Sequence, residues 1–218
     1  PLLCLVSIHI DDLAVTASPS CVSWLGSELA ARYGTLKRQE KSFRHVCLNY
    51  KDCDDGREMD LDHLVENMEE IPVTGKPGEL AGPEAVSDLR GLNGDMSYAL
   101  NGRPDMAGRV ALSQQAVNAN TTFADLAYAN KCLREFQQPG IATSLRYREV
   151  RGPYRLICVC DSSWKNVESK YSQGAYAIIL VQDNPGHCGG ICHVLDYSTK
   201  KSTTSTQEGS SRTPERAA

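Results

Sequence analysis

No apolar stretch in the 218 residues has the length needed to span a bilayer, and the run from Leu2 to Ile8 falls well short of it. Net positive charge is also missing. Lys and Arg number 23 against 27 Asp and Glu, a balance of −4, so any grip on nucleic acid has to come from local patches. The chain shows no internal repeat and no visible signal peptide. Pro1 is not preceded by Met and the chain starts inside a strand-like run, as expected for an internal piece of something longer. What is present is ordinary for a globular protein. A hydrophobic share of 41% over this length supports one sizeable core or two small ones.

Nine cysteines are many, but the number is odd and they are scattered. Cys4, Cys158 and Cys160 sit in apolar runs, where a reduced thiol behaves as a small hydrophobe. A reducing, intracellular setting is therefore expected, not a secreted one. The segment His187-Cys188-Gly189-Gly190-Ile191-Cys192-His193 invites a zinc reading. Its adjacent ligand pairs match none of the usual zinc-finger spacings, so a Gly turn entering a strand at Ile191 to Leu195 is preferred.

The densest chemical signal is Ile8-His9-Ile10-Asp11-Asp12-Leu13, an apolar strand ending in two adjacent carboxylates. Neighbours on a regular strand point to opposite faces, so both acids line one site only where the backbone turns. Such a turn aims oxygens at one or two hard cations, as metal-assisted phosphoryl chemistry requires. The dipeptide alone is weak, because paired aspartates in turns are most often simply solvated.

Further along, Ser20 to Tyr33 has a helical stripe ended by Gly34. Phe43 to Tyr50 reads as one strand, Asp52 to Gly56 as an acidic turn, and Leu61 to Ile71 as a helix capped by Asp60. Pro72 to Pro83, with three prolines and three glycines, is the best linker candidate. Helices are expected at Glu84 to Leu100, Pro104 to Val117 and Thr122 to Gln137, with Thr122 and Asp125 forming a capping box at the third. Strands follow at Tyr154 to Cys160, Gly174 to Val181 and Gly190 to Leu195, then a Ser/Thr-rich tail. Arg146, Arg148, Arg151 and Arg155, interleaved with Tyr147 and Tyr154, form a modest nucleic-acid patch or a solvated linker.

In this order the chain resembles the polymerase and ribonuclease H portion of a copia-type retrotransposon polyprotein. His9-Ile10-Asp11-Asp12-Leu13 is similar to the family's Tyr-Val-Asp-Asp-Leu turn, with His9 in place of Tyr. Leu89-Arg90-Gly91-Leu92-Asn93-Gly94 and Gly102-Arg103-Pro104-Asp105-Met106 resemble a helix of the family and its Thr-Arg-Pro-Asp-Ile turn. Thr122 to Leu126 and Ala129 to Arg134 extend the match through positions that are structural in the family. Val159-Cys160-Asp161-Ser162-Ser163-Trp164 resembles the start of its ribonuclease H domain, and Asp196-Tyr197-Ser198-Thr199-Lys200-Lys201 a later Asp-Trp-x-Ser-Lys segment.

The resemblance implies an α+β fold: a partial palm hairpin and helical thumb and connection region, then an incomplete ribonuclease H-like α/β domain. The corresponding boundaries are 1–75, 76–150 and 151–218. It implies Asp11 and Asp12 as polymerase metal ligands, and Asp161 with Glu215 as ribonuclease H metal ligands, Glu208 being the rival of Glu215. On its residues alone, Asp161 at the end of a buried strand reads first as a strand-end cap. The implied cofactor is Mg2+ or Mn2+. The implied partners are an RNA template, a DNA primer, an RNA/DNA hybrid and the rest of the polyprotein, in a cytoplasmic particle or the nucleus and away from membranes. Each active site is represented by only part of its acids, so this piece by itself is expected not to turn over. The competing expectation is a degenerate or co-opted retroelement relic that serves as a non-catalytic nucleic-acid or protein interaction module.

Overall fold

In the computed structural model, residues 3–141, 143–150, 152–163, 173–183 and 190–201 are described. The first two strands, β1 (Cys4–His9) and β2 (Asp12–Ala17), form an antiparallel hairpin with Cys4 opposite Ala17 and His9 opposite Asp12. Helix α1 (Pro19–Tyr33) follows, entered by Ser18 with Pro19 in the first turn and ended by Gly34 at φ 86°. None of its side chains is buried.

The run expected as one strand is two. β3 (Ser42–His45) and β4 (Leu48–Cys53) are joined at Val46-Cys47, with φ of 49° and 56°. Two positive-φ residues are what a tight hairpin turn demands, but Val and Cys give no sequence signal for it. The Tyr98 hydroxyl donates to the Val46 carbonyl and helps hold this turn.

β5 (Gly56–Asp60) pairs with β4 across the expected acidic turn. It also pairs with β6 (Ser144–Arg148), so the four-stranded order is β3-β4-β5-β6. Part of the expected basic linker is thus a strand. Everything between β5 and β6 is an insertion between two neighbours of one sheet.

That insertion is helical and holds the core. α2 (Asp62–Glu66) is shorter than expected; the Asp62 N–H donates to Asp60 as anticipated, but Leu61 occupies the cap position. The chain beyond α2 runs out to Ile71, whose N–H and C=O are both taken by the Asn130 side chain, at 2.9 and 2.8 Å. α3 (Pro83–Ala99), α4 (Ala107–Gln115) and α5 (Phe123–Phe136) pack together. Leu89, Leu92, Met96, Val110, Leu126, Leu133 and Phe136 form the core with Val65, Met68 and Ile71. Their three- and four-residue spacings are those of helix faces turned inward.

The Pro/Gly-rich candidate linker is strapped down rather than free. Leu80 bridges to Thr122, Ala81 N donates to Thr121 O at 2.8 Å, and Phe123 N donates to Glu79 O at 3.1 Å. A methyl at Gly75 would strike the Phe123 ring. The capping box is present: Asp125 accepts from Thr122 N at 2.8 Å, and the Thr122 side chain accepts from the backbone of Asp125.

Gly102-Arg103-Pro104-Asp105 shows how a local motif is built. Arg103 is buried and forks onto Asp105, Nε to Oδ1 and Nη2 to Oδ2, both at 2.8 Å. Pro104 starts a 3-10 turn, and a side chain on Gly102 would collide with the Thr143 carbonyl. Hydrogen bonding from Arg103 holds the Asp105 carboxyl below the ordinary aspartate range, partly opposed by burial. A depressed folded-state value means the pair stabilises the fold above that range and is lost as pH falls through it. The melting-temperature gap between wild type and Asp105→Asn, followed by circular dichroism, should therefore close as pH drops below about 4.

The last sheet is antiparallel, ordered β7 (Tyr154–Ser163), β8 (Gln173–Gln182), β9 (Cys192–Lys201). β9 carries a bulge opposite Ile178 and Ile179. It reaches the helical unit through α4, and Gln115 Nε2 donates to Gln173 Oε1 at 2.9 Å. The fold is α+β, with three small antiparallel sheets and five α-helices among the described residues.

Candidate functional site

Asp11 and Asp12 stand at the bend between β1 and β2. Ile10 and Asp11 form a two-residue turn, with Ile10 at φ 53°, and Asp12 opens β2 opposite His9. Both acids are exposed. The hairpin arm that carries them is itself largely solvated, with Leu5, Ile8 and Ile10 at 62%, 72% and 89% exposure.

Its seat on the rest of the protein is a histidine. His45, at the end of β3, is buried, and its Nε2 lies 3.2 Å from Ser7 Oγ. The His9 ring meets the His45 ring edge-on, with centroids 6.4 Å apart. His45 and Ser7 carry no signal in the sequence, because they lie 38 positions apart and neither belongs to a recognisable motif.

Asp161 lies on β7 opposite Ala175 and accepts the Ser162 N–H at 2.7 Å. The expected buried strand is absent. β7 is the outer strand of its sheet and Asp161 is exposed, so desolvation does not press this carboxylate toward a cation. On β9, Asp196 accepts from the Tyr176 hydroxyl at 3.0 Å, a bond that pushes the phenol's pKa up. Asp196 pairs through Ile178 with Cys158, whereas Asp161 pairs through Ala175 with Thr199. Alternation along the strands therefore puts Asp161 and Asp196 on opposite faces. Glu208 and Glu215 lie outside the described residues.

The proposed basic patch is already neutralised in large part. Arg146 and Arg148 both bond Asp55, at 2.5 and 3.0 Å, and Arg155 forks onto Asp183 at 2.8 and 2.9 Å. Arg151 lies outside the described residues. Of the candidate zinc cluster, positions 187–189 are also outside, while β9 begins at Cys192 as a strand. His193 is buried with Nε2 2.8 Å from Arg148 O and its ring beside Tyr147.

Among the described residues no three His, Cys, Asp or Glu side chains converge as a metal cage. The Asp11–Asp12 donor set nevertheless suits Mg2+. Mg2+ prefers hard oxygen, and it is commonly held by one or two carboxylates with waters and substrate phosphates filling the other positions. Asp161 and Asp196, on opposite faces of their sheet, do not combine into such a pair. A groove of about 600 Å³ lies elsewhere, between α2 and the end of α5, lined by Asp62, Glu66, Phe136 and Thr143. None of the candidate carboxylates lines it.

The eight described cysteines are free thiols. No helix among the described residues is long and apolar enough to cross a membrane. The chain matches none of the family models, curated proteins or solved structures compared with it.

Proposed function

We propose that this chain is a portion of a copia-type retroelement reverse transcriptase and ribonuclease H, in which Asp11 and Asp12 hold the divalent cation of RNA-directed DNA synthesis. The observation that carries this reading is the turn itself: two adjacent carboxylates at the tip of a β-hairpin, exposed and free of competing ion pairs within 4 Å among the described residues. The motif at Arg103 to Asp105 and the cap at Thr122 also act locally as structural positions would.

Mg2+ or Mn2+ at such a turn supplies positive charge against the triphosphate and the attacking and leaving oxygens. The protein's part is to keep the two carboxylates solvated and aimed outward. Ser7 and His9 against buried His45 tie the end of the arm to the four-stranded sheet, limiting where the acids swing. On the same reading Asp161 and Glu215 belong to the RNA-cleaving site, and the bound polymers are an RNA template, a DNA primer and their hybrid.

A second reading, a retroelement relic that acts only as an interaction module, is favoured by one observation. The described arginines of the basic patch are bonded to acids, while large apolar side chains on β1 and β7 face solvent.

Metal titration separates them. Mn2+ added to the isotope-labelled chain should broaden the amide resonances of Ile10 to Leu13 first, and Asp11→Asn with Asp12→Asn should abolish that selectivity. Broadening that is uniform, or that survives both substitutions, removes the polymerase assignment. Anisotropy of a labelled RNA/DNA hybrid reads the alternative: binding indifferent to Mg2+ and to both aspartates belongs to the interaction module.

A further inference from the structure

Strand β7 has the composition of an inner strand and the position of an outer one. Leu156-Ile157-Cys158-Val159-Cys160 is a continuous apolar run of the kind found where both faces of a sheet are covered. Yet every residue from Tyr154 to Asp161 is exposed, Leu156 at 64% and Val159 at 54%. Only one of its edges is used: β7 pairs with β8 alone among the described residues.

The usual defences of a sheet edge are missing as well. Outer strands are normally short, bulged, or guarded by Lys or Pro. β7 runs ten residues, pairs with β8 without a register shift, and carries only Arg155 and Asp161 as charges.

Those two charges select an occupant. We propose that β7 pairs with β7 of a second copy of this chain, antiparallel and centred on Cys158, to make one six-stranded sheet. In that register Arg155 lies opposite the second copy's Asp161, Leu156 opposite its Cys160, and Ile157 opposite its Val159. Directly opposed residues of antiparallel strands share a face, so charge meets opposite charge and apolar meets apolar on both faces. Moving the centre to Ile157 sets Arg155 against Val159, and moving it to Val159 sets Asp161 against Ile157. Only the Cys158 centre pairs both charges. Arg155 keeps donors for this while bonded to Asp183, because a guanidinium carries five N–H groups. The pairing leaves Asp11 and Asp12 untouched, but it engages Asp161 in an ion pair and so competes with the RNA-cleaving role proposed for that carboxylate.

Charge reversal tests it on the full chain. Sedimentation velocity across a concentration series should show a reversible dimer. Arg155→Asp alone creates two Asp–Asp contacts in the dimer, and Asp161→Arg alone creates two Arg–Arg contacts. Each should raise the dissociation constant roughly tenfold or more. In an equimolar mixture of the two variants, an acid again faces a base at both ends of the paired strands. That mixture should dimerise as the wild type does. Both positions are solvent-exposed, so unchanged circular dichroism is expected and shows that the variants fold. A dimer insensitive to both reversals, or variants whose mixture fails to reassociate, overturns the proposal. So does a monomer at every concentration, including one whose β7 amides resist hydrogen exchange because another segment of the same chain covers them.

Discussion

Asn130→Ala should destabilise the helical unit by about 2–4 kcal/mol, and Asn130→Asp by at least as much. Asn130 is buried on α5, where its amide oxygen accepts the Ile71 N–H at 2.9 Å and its amide nitrogen donates to the Ile71 carbonyl at 2.8 Å. The side chain thus takes the place of a neighbouring strand for one buried residue. Ala leaves a buried donor and a buried acceptor without partners, and an unmade buried hydrogen bond costs far more than a made one contributes. Asp keeps the acceptor but sets a carboxylate oxygen against the Ile71 carbonyl, replacing a bond by repulsion. Urea denaturation followed at 222 nm measures both. Lys131→Ala, one residue on and exposed, should stay within about 0.5 kcal/mol of wild type. Equal losses at 130 and 131 would mean that the Ile71 clasp contributes nothing.

Phe136→Ala is expected to cost about 3–5 kcal/mol. The ring closes the last turn of α5 at 1% exposure, within the cluster formed by Leu133, Val65 and Met68. The buried Arg103 guanidinium also lies 5.7 Å from its centroid, so truncation removes apolar burial and a cation–π contact together. The adjoining groove bears on the size of the effect. Because Phe136 lines it, the space left by Ala joins an open cleft, and water entry holds the loss below that of a sealed void. Phe136→Leu, which keeps most of the volume, should lose less than about 1.5 kcal/mol. A loss as large for Leu as for Ala would shift the cause from cavity formation to the aromatic contact with Arg103.

The parts of this fold that depend on residues within a few positions of one another were legible beforehand. Pro104 starts a helical segment, Thr122 and Asp125 cap α5, Gly34 ends α1, and each acts over a single turn. The Asp11–Asp12 bend was legible for the same reason, since an apolar run stopped by two acids leaves the chain little but a turn. The Val46-Cys47 turn was not, because neither residue favours positive φ and the turn is held by Tyr98, 52 positions away. The basic patch misleads on similar grounds: Arg146 meets Asp55 across 91 positions, and no local pattern announces that partner.

Asp161 marks the same limit at the candidate site. A run such as Leu156 to Cys160 makes a strand by local preference and burial tendency, and the strand is there. Whether it is covered depends on which surfaces reach it, and among the described residues nothing covers its outer edge. By itself the sequence determined that α1 ends at Gly34, that Thr122 and Asp125 cap α5, and that the chain bends at Asp11, because near-neighbour sterics and hydrogen bonds decide such matters. Tertiary structure alone decided that β6 returns to β5, that Asn130 stands in for a strand beside Ile71, and that β7 faces solvent. Those outcomes rest on which distant surfaces exclude water from one another, and that competition is settled only when the whole chain is packed.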